Sequence, residues 1–500
     1  LNGAWLMWTA AGWRPWDTDI ASLVPRGSKV LGATESLTIS DIEGVLGGGL
    51  AGSTLLGAVG FMTDDSPLIY SGFVQFNFTS RPAPTTCPTG GTGLPPAVAG
   101  GKRLCVLEGT YTSDLRLTAD FEYIVSGGVF IGGDNVNPAT LTVDAGVKTY
   151  GESGLDFIVI NRGSKIRVNG TANNPVIMTS ANDAEATATT RSQWGGLIIN
   201  GNAPVNGCAA GVTLCELEGE GSTGLYGGND PHDNSGNLNY LQVKFAGFNI
   251  TPENELNGIA FQGVGDGTVV DYVHVHNSSD DGVEFFGGTV NAKHLVLTGN
   301  QDDSLDWTAG WQGKVQHVLI IPGADSGDHG FEADNNANNR DAAPRSQPKI
   351  ANATLLGNGN TTGGILLREG TGANLSNFVV QGYGAECLDI DHTATFLAAG
   401  GAVNSLNGTL TMTNSRVNCA LNFREEADEN FTVESWFEAQ AGNSAGPTEM
   451  TSYLNSALIN GLPAAAQSDA FFDNTDYIGA VKNSAADWTQ GWTFRPFPAL

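Results

Sequence analysis

The stretch "QDDSLDW" at residues 301–307 places three aspartates within five positions, in a chain with only 15% charged residues. Carboxylates this close support three kinds of chemistry. Two of them can divide the work of hydrolysis, one protonated as acid and one ionised as base. Several can hold calcium, a hard cation that takes about six to eight oxygen ligands. Or aspartates in turns simply bond backbone amides. Asp280, Asp281, Glu284, Asp328, Glu332, His329 and Arg368 follow at related spacings and belong to the same question.

The spacing is that of a repeat. "NGIAF" at 257, "DGVEF" at 281, "DSLDW" at 303, "HGFEA" at 329, "GGILL" at 363 and "ECLDI" at 386 align with steps of 24, 22, 26, 34 and 23 residues. A second apolar column follows, "DYVHV" from 271, "AKHLVL" from 292, "VQHVLII" from 315, "IANATLL" from 350 and "LSNFVV" from 375. Apolar residues alternate with period two, which excludes helical solenoids. A propeller blade needs about 40 residues and four strands. The pattern therefore predicts an all-β right-handed parallel β-helix with coils of about 22 to 26 residues. The 34-residue step is a coil carrying an insertion, "NNANNRDAAPRSQPK" at 335–349.

In such a stack one strand position recurs about every 4.8 Å. The middle of the aligned pentads reads Ala260, Glu284, Asp306, Glu332, Leu366, Asp389. Its apolar flanks, such as Val283 with Phe285 and Leu305 with Trp307, belong in the core, so the middle residue faces outward. Glu284, Asp306 and Glu332 then form a column of like charges, which is destabilising until a cation or a proton relieves it. Calcium bridging this column with Asp281 and Asp328 is one reading. Paired-carboxylate catalysis on a polymer lying along an exposed face is another, and Asx-type turn bonding is the third. The histidines of the second column, His294 and His317 among them, read as a packing ladder, because a closed zinc site needs four ligands.

Two resemblances follow. The coil pattern is similar to the pectin-lyase-like β-helix superfamily. More narrowly, "WGGLIINGNAPVN", "GLYGGNDPHDNSGNLNYLQVKFAG" and "DDGVEFFGGTVNAKHLVLTGNQDDSLDWTAGWQGKVQHVLI" resemble secreted bacterial β-helix surface proteins, which carry no settled activity to transfer. Resemblance to polygalacturonase-type hydrolases implies Asp302 and Asp303, then His329, then Arg368 as a catalytic set. The chain departs from that pattern: Asp328 is inserted into the Gly-His-Gly, and "LLREG" replaces the expected basic motif.

Composition sets the remaining limits. A formal charge of −29 repels nucleic acid, and the glycine pairs lack the strand-to-helix context of a nucleotide loop. Six cysteines fall into the sequence-local couples Cys87 and Cys105, Cys208 and Cys215, and Cys387 and Cys419; disulfides there imply an oxidising compartment outside the cytoplasm. The chain opens at Leu1 without a basic n-region, which suits a mature exported protein. "LVPRGS" at 23–28 matches a thrombin cleavage sequence, by chance or as a cloning scar. Trp5, Trp8, Trp13 and Trp16 crowd the N-terminal arm and need cover, from their own domain or a neighbouring subunit. The uncharged "VLGGGLAGSTLLGAVGFM" at 45–62 is at the lower limit for a membrane span and reads better as a cap or assembly segment. The expected organisation is an irregular arm at 1–86, the β-helix at 87–440 and a C-terminal cap at 441–500. The expected role is a secreted, self-associating structural protein of the extracellular surface, with filaments as one form; the alternative is a hydrolase or lyase of acidic polysaccharides.

Overall fold

Strands whose every second side chain is apolar can bury one side only against another layer, and a ribbon of short parallel strands does so by winding on itself. The computed structural model describes residues 86–89, 93–95 and 101–498, apart from 210, 252–253, 326, 360–361, 403–404 and 406–407, together with six short strands between residues 6 and 77. It falls into two units, Leu1–Pro84 and Thr85–Leu500. In the second unit 25 strands join one sheet, and the coils pair in parallel from one turn to the next: a parallel β-helix.

In the first unit Leu6–Thr9 pairs with Gly12–Pro15 and sets Trp8 opposite Trp13. Thr54–Gly57 pairs with Val74–Asn77, and Gly60–Met62 with Pro67–Ile69. Part of the uncharged stretch is thus short strand, and no helix among the described residues is long and apolar enough to cross a membrane. Trp5, Trp16 and residues 23–28 lie outside the described residues.

Two stacks frame the functional question. The short-strand stack includes Gly196–Asn200, Ile259–Gln262, Val283–Phe286, Leu305–Thr308, His329–Ala333, Gly363–Leu367, Glu386–Ile390 and Leu421–Arg424, each paired with the next. The long-strand stack includes Gly236–Lys244, Val269–His276, Asn291–Thr298, Lys314–Ile321, Lys349–Leu356 and Ala373–Gln381. Inward residues of the first stack, among them Val283, Phe285, Leu305, Trp307, Ile365 and Leu367, are fully buried. Phe261, Phe285 and Trp311 stack face to face, with ring centroids 5.2 and 4.0 Å apart.

Each long strand bends once, at a residue with positive φ: Tyr240, Tyr272, His294, His317, Asn352 and Asn377, with φ from 50° to 63°. That conformation is costly for a residue with a Cβ. Ring stacking offsets it, with centroids 4.3 Å apart for Tyr240 and Tyr272, 4.3 Å for Tyr272 and His294 and 4.8 Å for His294 and His317. The two histidines are a packing ladder, and His294 Nδ1 is held 2.7 Å from Asp271.

All three nearest-neighbour cysteine couples are disulfides. Phe431, Val433, Trp436 and Phe437 join the main core at the last coils. Beyond them the chain turns back along the flank of the long strands as a strap. Asn352 Nδ2 donates to Tyr477 O, Asp473 N to Gln316 Oε1 and Phe494 N to His274 Nδ1. Trp492 and Trp488 close over Tyr240, Tyr272 and His294.

Candidate functional site: a buried carboxylate column

Parallel register brings together residues more than twenty positions apart. Ala260 lies opposite Glu284, Glu284 opposite Asp306, Asp306 opposite Glu332, Glu332 opposite Leu366 and Leu366 opposite Asp389. The side chains leave the barrel core, yet the face they line is not exposed. Asp306 is only 9% accessible and Asp389 3%, which corrects the expectation of an open polymer-binding surface. Covering loops cause the difference. Val205, Tyr226 and Leu256 pack on the outward side chains of Val159, Ile198, Ala260 and Phe286. Farther along, Asn206 Nδ2 donates to Asn335 Oδ1 at 2.8 Å and joins one such loop to the insertion expected at 335–349.

Turn aspartates serve the backbone between coils. Asp281 Oδ1 accepts from Asp303 N at 3.0 Å, and Asp303 Oδ1 accepts from His329 N at 2.6 Å. Each carboxylate thus tethers the turn of the following coil, a longer-range version of the Asx bonding anticipated for these residues.

Three groups gather ligand atoms within 4.8 Å of one another: Asp281, Glu284 and Asp306; Asp303, His329 and Glu332; and Glu255, Asp280 and Asp302. Glu284 Oε2 accepts from Asn257 Nδ2 at 2.8 Å. Glu332 pairs with Arg368, whose Nε donates to Asp334 at 3.0 Å. His329 Nδ1 stands 3.3 Å from Asp303 and 3.9 Å from Glu332, an ion-pair separation without hydrogen-bond alignment. Asp306 Oδ1 is buried with no partner, and so is Asn257 Oδ1.

The electrostatics follow from crowding. Burial first, and then the neighbouring carboxylates, push Asp281, Glu284 and Asp306 well above the usual carboxylate range. Burial with Glu255 and Glu220 raises Asp280 to about 8. Burial with Asp303 raises Glu332 to about 8, against the pull of Arg368. Burial with Asp303 raises Asp302 to about 7. For His329 burial works downward, but Asp303, Asp328 and Glu332 outweigh it and lift the imidazole to about 9. Among the described residues, only His329 and Arg368 bring positive charge close to these carboxylates. Two like charges about 4.8 Å apart repel by roughly 3 kcal/mol at an effective dielectric of about 20, so the ionised column requires a counter-ion.

The sequence-predicted residues therefore separate. Asp281, Glu284, Asp306 and Glu332 share the buried column. Of the suggested catalytic set, Asp303, His329 and Arg368 converge on Glu332, while Asp302 joins Asp280 and Glu255. Asp328 stays at the rim with its side chain 65% exposed. Glu220, Glu255, Asn257 and Asp334 complete the environment. Glu220 and Glu255 come from covering segments outside the aligned pentads, Asn257 opens the first pentad, and Asp334 follows another, its only signal being the acidic character of "HGFEADNN".

Comparison with known proteins agrees with the winding. Residues 109–493 match the family described as the pectate-lyase-like beta helix domain, and the chain belongs to that family. No curated protein and no solved structure matched.

Proposed function

We propose that this pectate-lyase-like β-helix is a non-catalytic extracellular scaffold whose coils are locked by a hard divalent cation, calcium, held by Asp281, Glu284 and Asp306. Its three disulfides and its family fit an extracellular protein. The single observation that carries the reading is Asp306 Oδ1, a carboxylate oxygen buried without a partner between two other carboxylates in register. Native structures rarely leave such an atom unsatisfied, and a bound ion is a standard explanation. The donor set is all oxygen, as calcium and magnesium require, and calcium tolerates the irregular geometry of side chains from two adjacent coils better than magnesium does. The unpartnered Asn257 Oδ1 is a further neutral oxygen beside Glu284. A bound cation would tie these two coils together and remove their mutual repulsion.

Calorimetric titration of chelator-treated protein with calcium tests this. A single strong site releasing protons is expected, because burial and the neighbouring carboxylates raise the proton affinity of these groups and a cation competes with the proton for them. At a hundredfold excess over Kd, calcium should add about 2.7 kcal/mol of stability. Asp306→Asn should abolish both effects, and unchanged binding in that variant would sink the reading.

A second reading rests on the convergence of Asp303, His329 and Arg368 around Glu332. It makes the protein a hydrolase or lyase of acidic polysaccharides. Substrate would then have to displace the covering loops, so turnover of polygalacturonate that His329→Gln eliminates is the result that would favour it.

A further inference from the structure

The two ends of the coil series carry grooves of opposite charge. At the first coils a groove of about 680 Å³ is lined by Arg116, Lys165 and Arg167 with asparagines and no carboxylate. In a chain at −29 that is a marked local reversal. Parallel register builds it, since Thr142 lies opposite Arg116 on one side and Arg167 on the other, and Arg167 lies opposite Asn237. Arg116 is 69% exposed and pairs with Asp144, whereas Arg167 is exposed with no side-chain partner among the described residues. Farther along the same column Lys314 and Lys349 are already answered by Asp469 of the strap. An acidic segment lying on this face thus has a precedent within the chain itself.

At the last coils a cleft of about 470 Å³ is lined by Asp391, Glu426, Asp428 and Glu429. Arg340 at its edge is occupied by Glu369. Glu429 accepts from Thr393, and nearby Glu425 caps the amides of Val433 and Glu434. Glu426 and Asp428 make no such bonds among the described residues.

We infer that the protein associates head to tail, the acidic loop at Glu426 and Asp428 of one copy seating in the Arg116–Arg167 groove of the next. Such an interface is heterologous: a dimer keeps one free groove and one free loop, so the assembly propagates, into a ring if the rotation between copies closes and into a filament if it does not. Complementary patches also set register and partner choice. The inference stands independently of the cation in the column, since neither patch includes a column residue.

Sedimentation velocity of the full chain at physiological salt tests it, with and without chelator. Wild type is expected to form a concentration-dependent series of oligomers. Arg167→Glu alone and Glu426→Lys with Asp428→Lys should each weaken association by at least about tenfold. An equimolar mixture of the two variants should recover a dimer, because the intact loop of the first fits the intact groove of the second. All substituted positions are on the surface, so folding is not at stake. Monomeric wild type, either variant associating like wild type, or a mixture that stays monomeric would each overturn the inference. Association through the tryptophans of the N-terminal arm would give the second of these results. Polygalacturonate comigrating with a monomer, and lost in Arg167→Glu, would assign the groove to a glycan and overturn it as well. Loss of oligomers only in chelator would reject the independence from the cation and leave the scaffold reading standing.

Discussion

Two outward-facing columns of this β-helix are covered, and they are covered differently. On the long strands His274, Val296, Leu319, Thr354 and Val379 lie in register beneath the C-terminal strap. Every polar member is answered there: His274 by Thr298 and by the Phe494 amide, and Thr354 by the Ala480 amide. On the short strands Glu284, Asp306 and Glu332 lie beneath loops that leave Asp306 Oδ1 unanswered and a surplus of negative charge. The strap is not wholly satisfied, since His317 Nδ1 beside this column is buried without a partner, but it leaves no surplus of like charge. Under the cation proposal, the column with an unanswered carboxylate oxygen is the one that receives a ligand.

The largest expected effect separates the two covers by mass. Trp492 is 1% accessible and stands edge-on to Tyr240 and Tyr272, with Trp488 beside it. Trp492→Ala should cost about 3–5 kcal/mol of strap docking. The strap side forms its own apolar cluster, separate from the main core. Limited proteolysis should therefore cut the variant within residues 441–498 and spare the coils. Cutting spread through the coils would mean that the strap is integral to the winding and would remove one side of the comparison.

A smaller effect, and opposite in sign between the columns, comes from pH. Folding raises Asp280 and Glu332 to about 8 and Asp302 to about 7. A carboxylate with a raised folded pKa binds its proton more tightly when folded. Its contribution is full below the unfolded value near 4 and is lost as pH rises toward 8. Beneath the strap burial lowers His276 and His317 to about 3. Those histidines contribute fully above the unfolded value near 6.5 and lose that contribution as pH falls toward 3. Hydrogen exchange of chelator-treated protein should thus quicken around residues 280–334 between pH 5 and 8, and in the strap between pH 6.5 and 4. Calcium should suppress the first change and leave the second alone. Both regions responding in the same direction would show that the columns are not electrostatically distinct.

The winding and the column were legible in the sequence because period-two alternation and coil spacing are local, repeated signals. Glu284, Asp306 and Glu332 could be aligned by counting alone. The disulfides were legible for a related reason, each closing a short segment. The covering loops were not, because "ELEGEGS" and "ENELNG" carry no period that fixes where they return. Their apolar anchors Tyr226 and Leu256 look like any isolated aromatic or leucine until outward Ala260 and Phe286 are seen to need them. Missing the cover turned a buried column into an expected exposed one. The strap was hidden in the same way, since the tryptophans of "DWTQGWTF" find their partners more than two hundred residues earlier in Tyr240 and Tyr272.

The smallest expected effect marks the edge of the open column. Asp328 shares the acidic run of the repeat and lies 3.7 Å from His329, but its side chain is 65% exposed and screened by water. An exposed charge near a site contributes at most about 1 kcal/mol, and often nothing measurable. Asp328→Asn should therefore leave calcium affinity within about threefold of wild type, while lowering the imidazole pKa of His329 slightly through loss of one attractive charge. Titrating that ring by NMR alongside a calcium titration reads both at once. If affinity fell as far as in Asp306→Asn, the cation would sit at the rim rather than among the buried oxygens. The contrast between the two covers would then no longer identify where this molecule binds.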